Sequence, residues 1–243
     1  MQQALTKGRY VARFADTKAD IQAAQSLRHQ AFFGRVGIDC DRFDGVCQHL
    51  LIEERKSGAL VACCRVLPIK ADQIRHSYSA QYYELSALES FGGAMLELGR
   101  FCVRPGAENP DILRIAWGAL TTYVDENNIE MLFGCSSFAG TDEARYLDAF
   151  AMLKEHHLAP KRWLPKVKAP QVFRFASRLR RKPDAKRAML GMPPLLRTYL
   201  LMGGWVSDHA VVDRQMGTLH VFTGLEIAAI PPARKRLLRA AAA

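Results

Sequence analysis

The chain has 243 residues, 49% of them hydrophobic, enough to build a sizeable core in one large domain or a domain with an extension. No run approaches the roughly 18 to 20 consecutive apolar residues of a membrane span, and the opening "MQQALTKGRYVARFADTKAD" lacks a signal-peptide core, so a cytoplasmic protein is expected. The net charge of +10 is unevenly spread: between Lys161 and Arg187 there are eleven Lys or Arg residues against one acid, Asp184, and "PPARKRLLRA" adds Arg234, Lys235, Arg236 and Arg239.

Such basic stretches fit nucleic acid, anionic lipid headgroups or an acidic protein, or simply a solvated face. The six cysteines form no CxxC pair and several sit in apolar runs, so reduced, mostly buried thiols are expected. The seven histidines are scattered, and the adjacent pair His156 and His157 lacks the i, i+4 spacing of a metal site; no metal is expected.

In chain order, "KADIQAAQSLRHQAFF" (18–33) places Ile21, Ala24, Leu27 and Ala31 at helical spacing after Asp16 or Thr17 as N-cap. Arg28 and Phe32, four apart, project together from that helix. "GIDCDRFDG" (37–45) is an acid-rich loop. "HLLIEE" (49–54) and "ALVACCRVLPI" (59–69), joined by "RKSG", form a hairpin in which Arg65 is a permanent charge in need of a carboxylate.

"AMLELGRFCV" (94–103) reads as a third strand, "NPDILRIAWGALTTYVDEN" as a helix, "IEMLFGCSSF" as a strand and "TDEARYLDAFAMLKEHH" as a helix. After the basic stretch, "YLLMGGWVSDHAVV" (199–212) and "TLHVFTGLEI" (218–227) are two closing strands, giving an α/β or α+β domain over 1–228 and a basic, alanine-rich tail over 229–243. In "LELGRFCV", Glu97 and Arg100 lie three apart and therefore on opposite faces of a regular strand. Gly99 between them is the expected place for a bulge.

"GCSSF" lacks the second glycine of a nucleophile elbow, and no glycine-rich phosphate loop of the P-loop or dinucleotide type is present. In "VRPGAENPDILRIAW", Asn109 caps a helix with Pro110 at its first position, and Arg104 and Gly106 lie just upstream. That turn is either a phosphate site or simply a well-capped helix.

The ordered set Arg28, Phe32, Asp41, Asp44, Arg65, Glu97, Arg100 and Phe101, carried by "LRHQAFF", "DCDRFDG", "CCRVLP" and "LELGRFCV", resembles two acyltransferase groups of the GNAT-like superfamily. These are the acyl-homoserine-lactone synthases and the bacterial ornithine N-acyltransferases. "NIEMLFGCSSFAGTD" and the 195–227 segment are similar to the second group, and the resemblance covers residues 10 to 228. It implies a mixed, mostly antiparallel sheet flanked by helices, and transfer of a 3-hydroxyacyl chain from acyl carrier protein to the α-amine of L-ornithine, the first step of ornithine-lipid synthesis. No permanently bound cofactor is implied. The superfamily's usual phosphate loop is replaced by "RPGAENP", which is compatible with the single phosphodiester of a carrier-protein arm.

Given the resemblance, Glu97 is the expected base, with Arg100 beside it. Phe32, Phe101, Met131 and Phe133 either line an acyl slot or are plain core. Asp41 and Asp44 either pair with Arg28, Arg65 and Arg100 or hold the ammonium groups of ornithine. Asp208, His209 and Asp213 are acceptor-site candidates or a hydrogen-bonded strand end. Arg104, Gly106, Arg180, Arg181 and Lys182 are the expected carrier-protein and phosphopantetheine contacts, and the tail is expected to rest peripherally on an anionic inner-membrane surface. The alternatives are a lactone synthase using S-adenosylmethionine, or a basic nucleic-acid- or membrane-binding protein without catalysis; the latter lacks the aromatic interleaving of a single-strand platform, so nucleic acid is not expected as a partner.

Overall fold

The computed structural model describes residues 4–242. The elements run β1 (Leu5–Lys7), β2 (Tyr10–Phe14), α1 (Lys18–Phe33), β3 (Gln48–Glu54), β4 (Leu60–Ile69), β5 (Tyr83–Glu84), β6 (Ala94–Val103), α2 (Pro110–Glu126) and β7 (Ile129–Ala139). They continue with α3 (Leu147–His156), β8 (Lys166–Val167), β9 (Val172–Phe173), α4 (Phe175–Arg178), α5 (Ala185–Gly191), α6 (Pro194–Leu201), β10 (Trp205–Asp213), β11 (Thr218–Glu226) and α7 (Pro232–Ala242). They fall into two compact units.

The first unit takes the chain through Pro68, then Leu96–Ile129, and residues from Pro232 onward. Its strands lie in the order β1-β2-β3-β4-β6, antiparallel from β1 to β4. Helix α1 starts where a capping box forms: the Thr17 hydroxyl accepts from Asp20 N–H at 3.1 Å, and the Asp20 carboxylate accepts from Thr17 N–H at 3.1 Å. It stops at Gly34, whose φ of 67° lies in the left-handed region that glycine enters without a Cβ clash. Ala24 and Leu27 bury the inner stripe against Leu51, Cys63 and Cys102.

Residues 229–243, set apart as a tail on composition, include a helix of this unit. Helix α7 packs on α2, where a Cβ at Gly118 would stand 2.5 Å from the Ala241 carbonyl oxygen. Arg239 pairs with Asp125 at 3.3 Å and Lys7 Nζ donates to the Ala240 carbonyl at 2.5 Å.

The second unit holds β7-β11-β10-β9, antiparallel throughout, and the small β5-β8 pair. Phe138, Phe150, Phe175, Val206, Leu219 and Val221 fill the core between its sheet and helices. The strand expected from residue 199 begins at Trp205 instead, because Tyr199–Leu201 close α6. Pro193 and Pro194 preset the first helical turn, Gly203 at φ 91° ends it, and at Gly204 a Cβ would meet the Tyr199 oxygen at 2.7 Å. The helix expected over 141–157 opens as a 3-10 turn at Glu143–Tyr146 and becomes α-helical from Leu147. The basic stretch is folded: Lys168 donates to the Ala80 carbonyl at 2.6 Å. Strand β10 shifts register between Val206 and Ala210, so Ser207, Asp208 and His209 sit on an irregularity.

Candidate active site

The loop from Gly34 to Cys47 is held in the first unit by its own acids. Asp41 accepts from Phe43 N–H at 2.8 Å and Asp44 from Asp41 N–H at 3.1 Å, the local turns that short carboxylates make with backbone two and three residues away. Their remaining lone pairs turn to arginines. Arg28, with no exposed surface, donates through Nε to Asp39 Oδ2 at 2.8 Å, through Nη1 to Asp44 Oδ1 at 2.8 Å and through Nη2 to Asp44 Oδ2 at 3.0 Å. Arg65 reaches Asp41 Oδ1 at 2.5 Å, Asp41 Oδ2 at 3.0 Å and Asp44 Oδ1 at 3.0 Å. Arg100 adds Asp39 Oδ2 at 3.1 Å and Asp41 Oδ2 at 3.3 Å.

Arg28, Arg65 and Arg100 thus face Asp39, Asp41 and Asp44. Burial alone would raise the Asp44 carboxyl, but the Arg28 guanidinium and the Asp41 N–H outweigh it and hold the group well below the usual carboxylate range. Asp41 is likewise lowered, burial being overcome by Arg65. Next to them His49 donates from Nε2 to the Asp44 carbonyl at 3.1 Å, and burial keeps its pKa below the ordinary value.

Strand β6 is irregular directly beside Gly99. The residue in the left-handed region is Arg100, with φ 53°. A non-glycine residue there costs about 1–3 kcal/mol, and its persistence inside a strand requires surroundings that over-determine it. The guanidinium bonds to Asp39 and Asp41 supply that: the backbone turns so that Arg100 meets the acidic loop, which a regular strand with Glu97 on its other face would not arrange. Glu97 lies three residues earlier at 4% exposure, and its charge acts on the Cys47 thiol, which burial pushes up to about 11, with Arg65 opposing and Glu97 adding to the rise. Phe32 is partly buried against the Ala24–Leu27 cluster.

The turn before α2 has Arg104 N–H donating to the Val61 carbonyl at 2.7 Å and Gly106 at φ 81°. The Gly106 N–H is 3.2 Å from Glu108 Oε1, so an acid of the turn itself already sits on that donor. The Asn109 side chain caps α2 by accepting from Asp111 N–H at 2.9 Å.

The other candidates lie in the second unit. Asp208 Oδ1 is 2.7 Å from the Nδ1 of the fully buried His209, and Ser207 Oγ donates to the His209 carbonyl at 2.7 Å while accepting from Phe222 N–H at 3.1 Å. Tyr83 Oη donates to the His220 carbonyl at 2.8 Å, so the 3.1 Å contact with His220 Nδ1 has the imidazole as donor. Burial pushes the His220 pKa down to about 4. Met131 and Phe133 are fully buried, Phe133 stacking on Phe222 with centroids 5.7 Å apart.

Arg181 is paired with Asp148 at 2.7 Å and Arg180 donates to the Ser177 carbonyl at 2.7 Å, while Lys182 is exposed. Of these, Arg181 lines a surface concavity of about 490 Å3 together with Arg145, Tyr146, Asp148, Arg187 and Leu190. Asp39, His49, Tyr83 and His220 join these constellations without having stood out in the sequence.

The Acetyltransferase (GNAT) domain family matches residues 25–118, the stretch carrying the whole charge network. The L-ornithine N(alpha)-acyltransferase of Rhodobacter capsulatus is 34% identical over 229 residues, 87% of this chain and 88% of that protein. The chain belongs to the L-ornithine N(alpha)-acyltransferase family. A second member of that family, from Brucella abortus, is 31% identical over 241 residues, 90% of this chain and 85% of its own. Among solved structures, an N-acyl amino acid synthase from uncultured soil microbes covers 91% of this chain and 94% of its own, with a TM-score of 0.51 at 11% identity. The expected GNAT-like fold is the fold of this family member.

Proposed function

We propose that this chain transfers a 3-hydroxyacyl group from the phosphopantetheine thioester of acyl carrier protein to the α-amino group of L-ornithine, releasing a lyso-ornithine lipid and the carrier thiol. The observation that carries this reading is the 34% identity running across 88% of an L-ornithine N(alpha)-acyltransferase. In the reaction the amine nitrogen forms the C–N bond, the C–S bond breaks, and one proton leaves the nitrogen as another reaches the thiolate.

Glu97, buried on an interrupted strand, is the base, acting directly or through one water. The left-handed turn at Arg100 takes local backbone out of regular pairing geometry, which suits N–H groups near Glu97 to a developing oxyanion. The network of Arg28, Arg65 and Arg100 with Asp39, Asp41 and Asp44 fixes the loop beside Glu97, and Phe32 and Phe101 belong to the acyl-chain wall.

Arg104 meets the arm's phosphodiester, while Glu108 holds the Gly106 N–H and its carboxylate favours one phosphate charge over a pyrophosphate. The basic concavity with Arg145, Arg181 and Arg187 docks the acidic carrier protein, helped by Lys182. The product is amphiphilic, so the enzyme works peripherally at the inner leaflet.

The test is mass spectrometry of products from purified protein with ornithine and 3-hydroxyacyl carrier protein. N-acylornithine formation supports the reading; its absence, or acyl-homoserine lactone on adding S-adenosylmethionine, overturns it.

A further inference from the structure

The charge network that closes the Gly34–Cys47 loop has a second face. All three carboxylates of the segment, on Asp39, Asp41 and Asp44, are bound to Arg28, Arg65 and Arg100. What the segment turns outward is therefore apolar and cationic: Val36 is 97% exposed, Val46 62% and Ile38 48%, with Arg35 and Arg42 exposed between them.

The loop is also braced from below. His29 Nδ1 donates to the Arg35 carbonyl at 2.9 Å, its ring fills the space at Gly37 so closely that a Cβ would fall 2.4 Å from it, and Asp39 N–H donates to the Gln25 carbonyl at 3.1 Å. The apolar tips are thus held out in water by a fixed scaffold, and rotamer changes alone would not tuck them in. Residues built this way need a partner that accepts them.

We infer that the Gly34–Cys47 loop is a membrane-docking loop that inserts Val36, Ile38 and Val46 into the interface of an anionic bilayer while Arg35 and Arg42 meet lipid phosphates. This deepens the reading of a peripheral enzyme with an amphiphilic product and rests on it. Two features favour a bilayer over a protein groove. A side chain that is 97% exposed has no neighbours alongside it to form half of a pocket. Apolar tips flanked by arginines, with every carboxylate of the segment tied to an arginine, match the layered chemistry of headgroup phosphate above acyl chain. The basic helix α7 lies against α2 with one face and leaves Arg234, Arg236 and Leu237 exposed on another, so it can meet a bilayer as well.

The experiment is co-sedimentation of the purified full-length protein with vesicles of phosphatidylcholine containing roughly one-third phosphatidylglycerol, against pure phosphatidylcholine, at low and high salt. The wild type should bind the anionic vesicles and release in salt. The double variant Val36→Asp with Ile38→Asp should lose about ten- to a hundredfold in partitioning, with an unchanged melting temperature and unchanged acyl transfer from soluble donor to ornithine. Arg35→Glu with Arg42→Glu, which alters no apolar residue, should lose the preference for anionic over neutral vesicles.

No vesicle binding by the wild type, or equal binding by the Val36/Ile38 variant, overturns the inference. So does a change in that variant from a self-associated to a monomeric species in sedimentation, which would make a second copy the occupant. Because acyl transfer is read separately from vesicle binding, failure of the docking loop leaves the enzyme reading standing, and loss of transfer by the wild type is failure of the enzyme.

Discussion

Replacing Asp44 with Asn tests whether the charge network holds the candidate site together. Asp44 accepts from Arg28 twice, from Arg65, from Gln25 at 3.1 Å and from Asp41 N–H, so its carboxylate is the hinge between the helix, the loop and β4. The substitution takes one negative charge from beside the buried Arg28 and Arg65 guanidiniums. Arg28 has no exposed surface through which water could screen it. Removing one partner of a buried pair costs about 3–5 kcal/mol. At about 2–4 °C per kcal/mol for a chain of this size, the melting temperature should fall by roughly 6–20 °C.

Calorimetry or circular dichroism at pH 7 measures this, with Glu54→Gln as control, since Glu54 meets Arg9 at the surface and should leave melting close to wild type. The sign with pH follows from the lowered Asp44 carboxyl. Its stabilisation is complete above the ordinary carboxylate value of about 4 and fades as pH falls below that, so the variant and wild type should converge in acid. If Asp44→Asn melts with the wild type at neutral pH, the network does not hold this loop.

Glu97→Gln should lower kcat/KM for acyl transfer by about 10²–10⁴, read from thiol release and product mass at a temperature well below the variant's melting point; a rate within twofold of wild type removes Glu97 as the base. His220, pushed down to about 4 by burial against about 6.5 in an unfolded chain, takes up its proton in the unfolded state first. It should therefore draw off about 3 kcal/mol of stability as pH falls from 6.5 to 4, and His220→Phe should flatten that limb in denaturant midpoints measured against pH; an identical slope in the variant refutes it. Iodoacetamide at pH 8 should label exposed Cys40 well before Cys47, whose thiol sits near 11, and before buried Cys63 and Cys64, whose thiols are pushed up. Peptide mapping that found Cys63 or Cys64 labelled first would contradict the packing described for β4.

Much of this arrangement is legible in the chain itself, and the gaps have physical causes. Helix α1 announces itself by period and cap, and the β3–β4 hairpin by two apolar runs around "RKSG". Arg65 in an apolar strand demanded a carboxylate and has two, Asp41 and Asp44. Asp39 went unremarked because its role depends on which way the Arg28 Nε points, a matter of rotamer and not of spacing. Tyr199–Leu201, the last turn of α6, read as strand because "YLL" is a short apolar run, which periodicity cannot assign, and the deciding residues are prolines and glycines on either side. Gly99 looked like the place to break β6, since glycine bends most cheaply. The ion pairs decide otherwise, and no local propensity reveals that a neighbouring arginine will take φ 53° when a glycine stands next to it.

The C-terminal helix against α2 sets an order of assembly. The first unit draws its strands from residues through Pro68 and from β6, yet its closing helix is Pro232–Ala242, and all of 130–231 is synthesised in between. During translation the first unit therefore waits, with the α2 surface at Gly118 uncovered, while the second unit has its entire chain available to fold. A contact between residues so distant in sequence pays the largest loop-closure entropy, so the docking of α7 is among the last steps in completing the first unit.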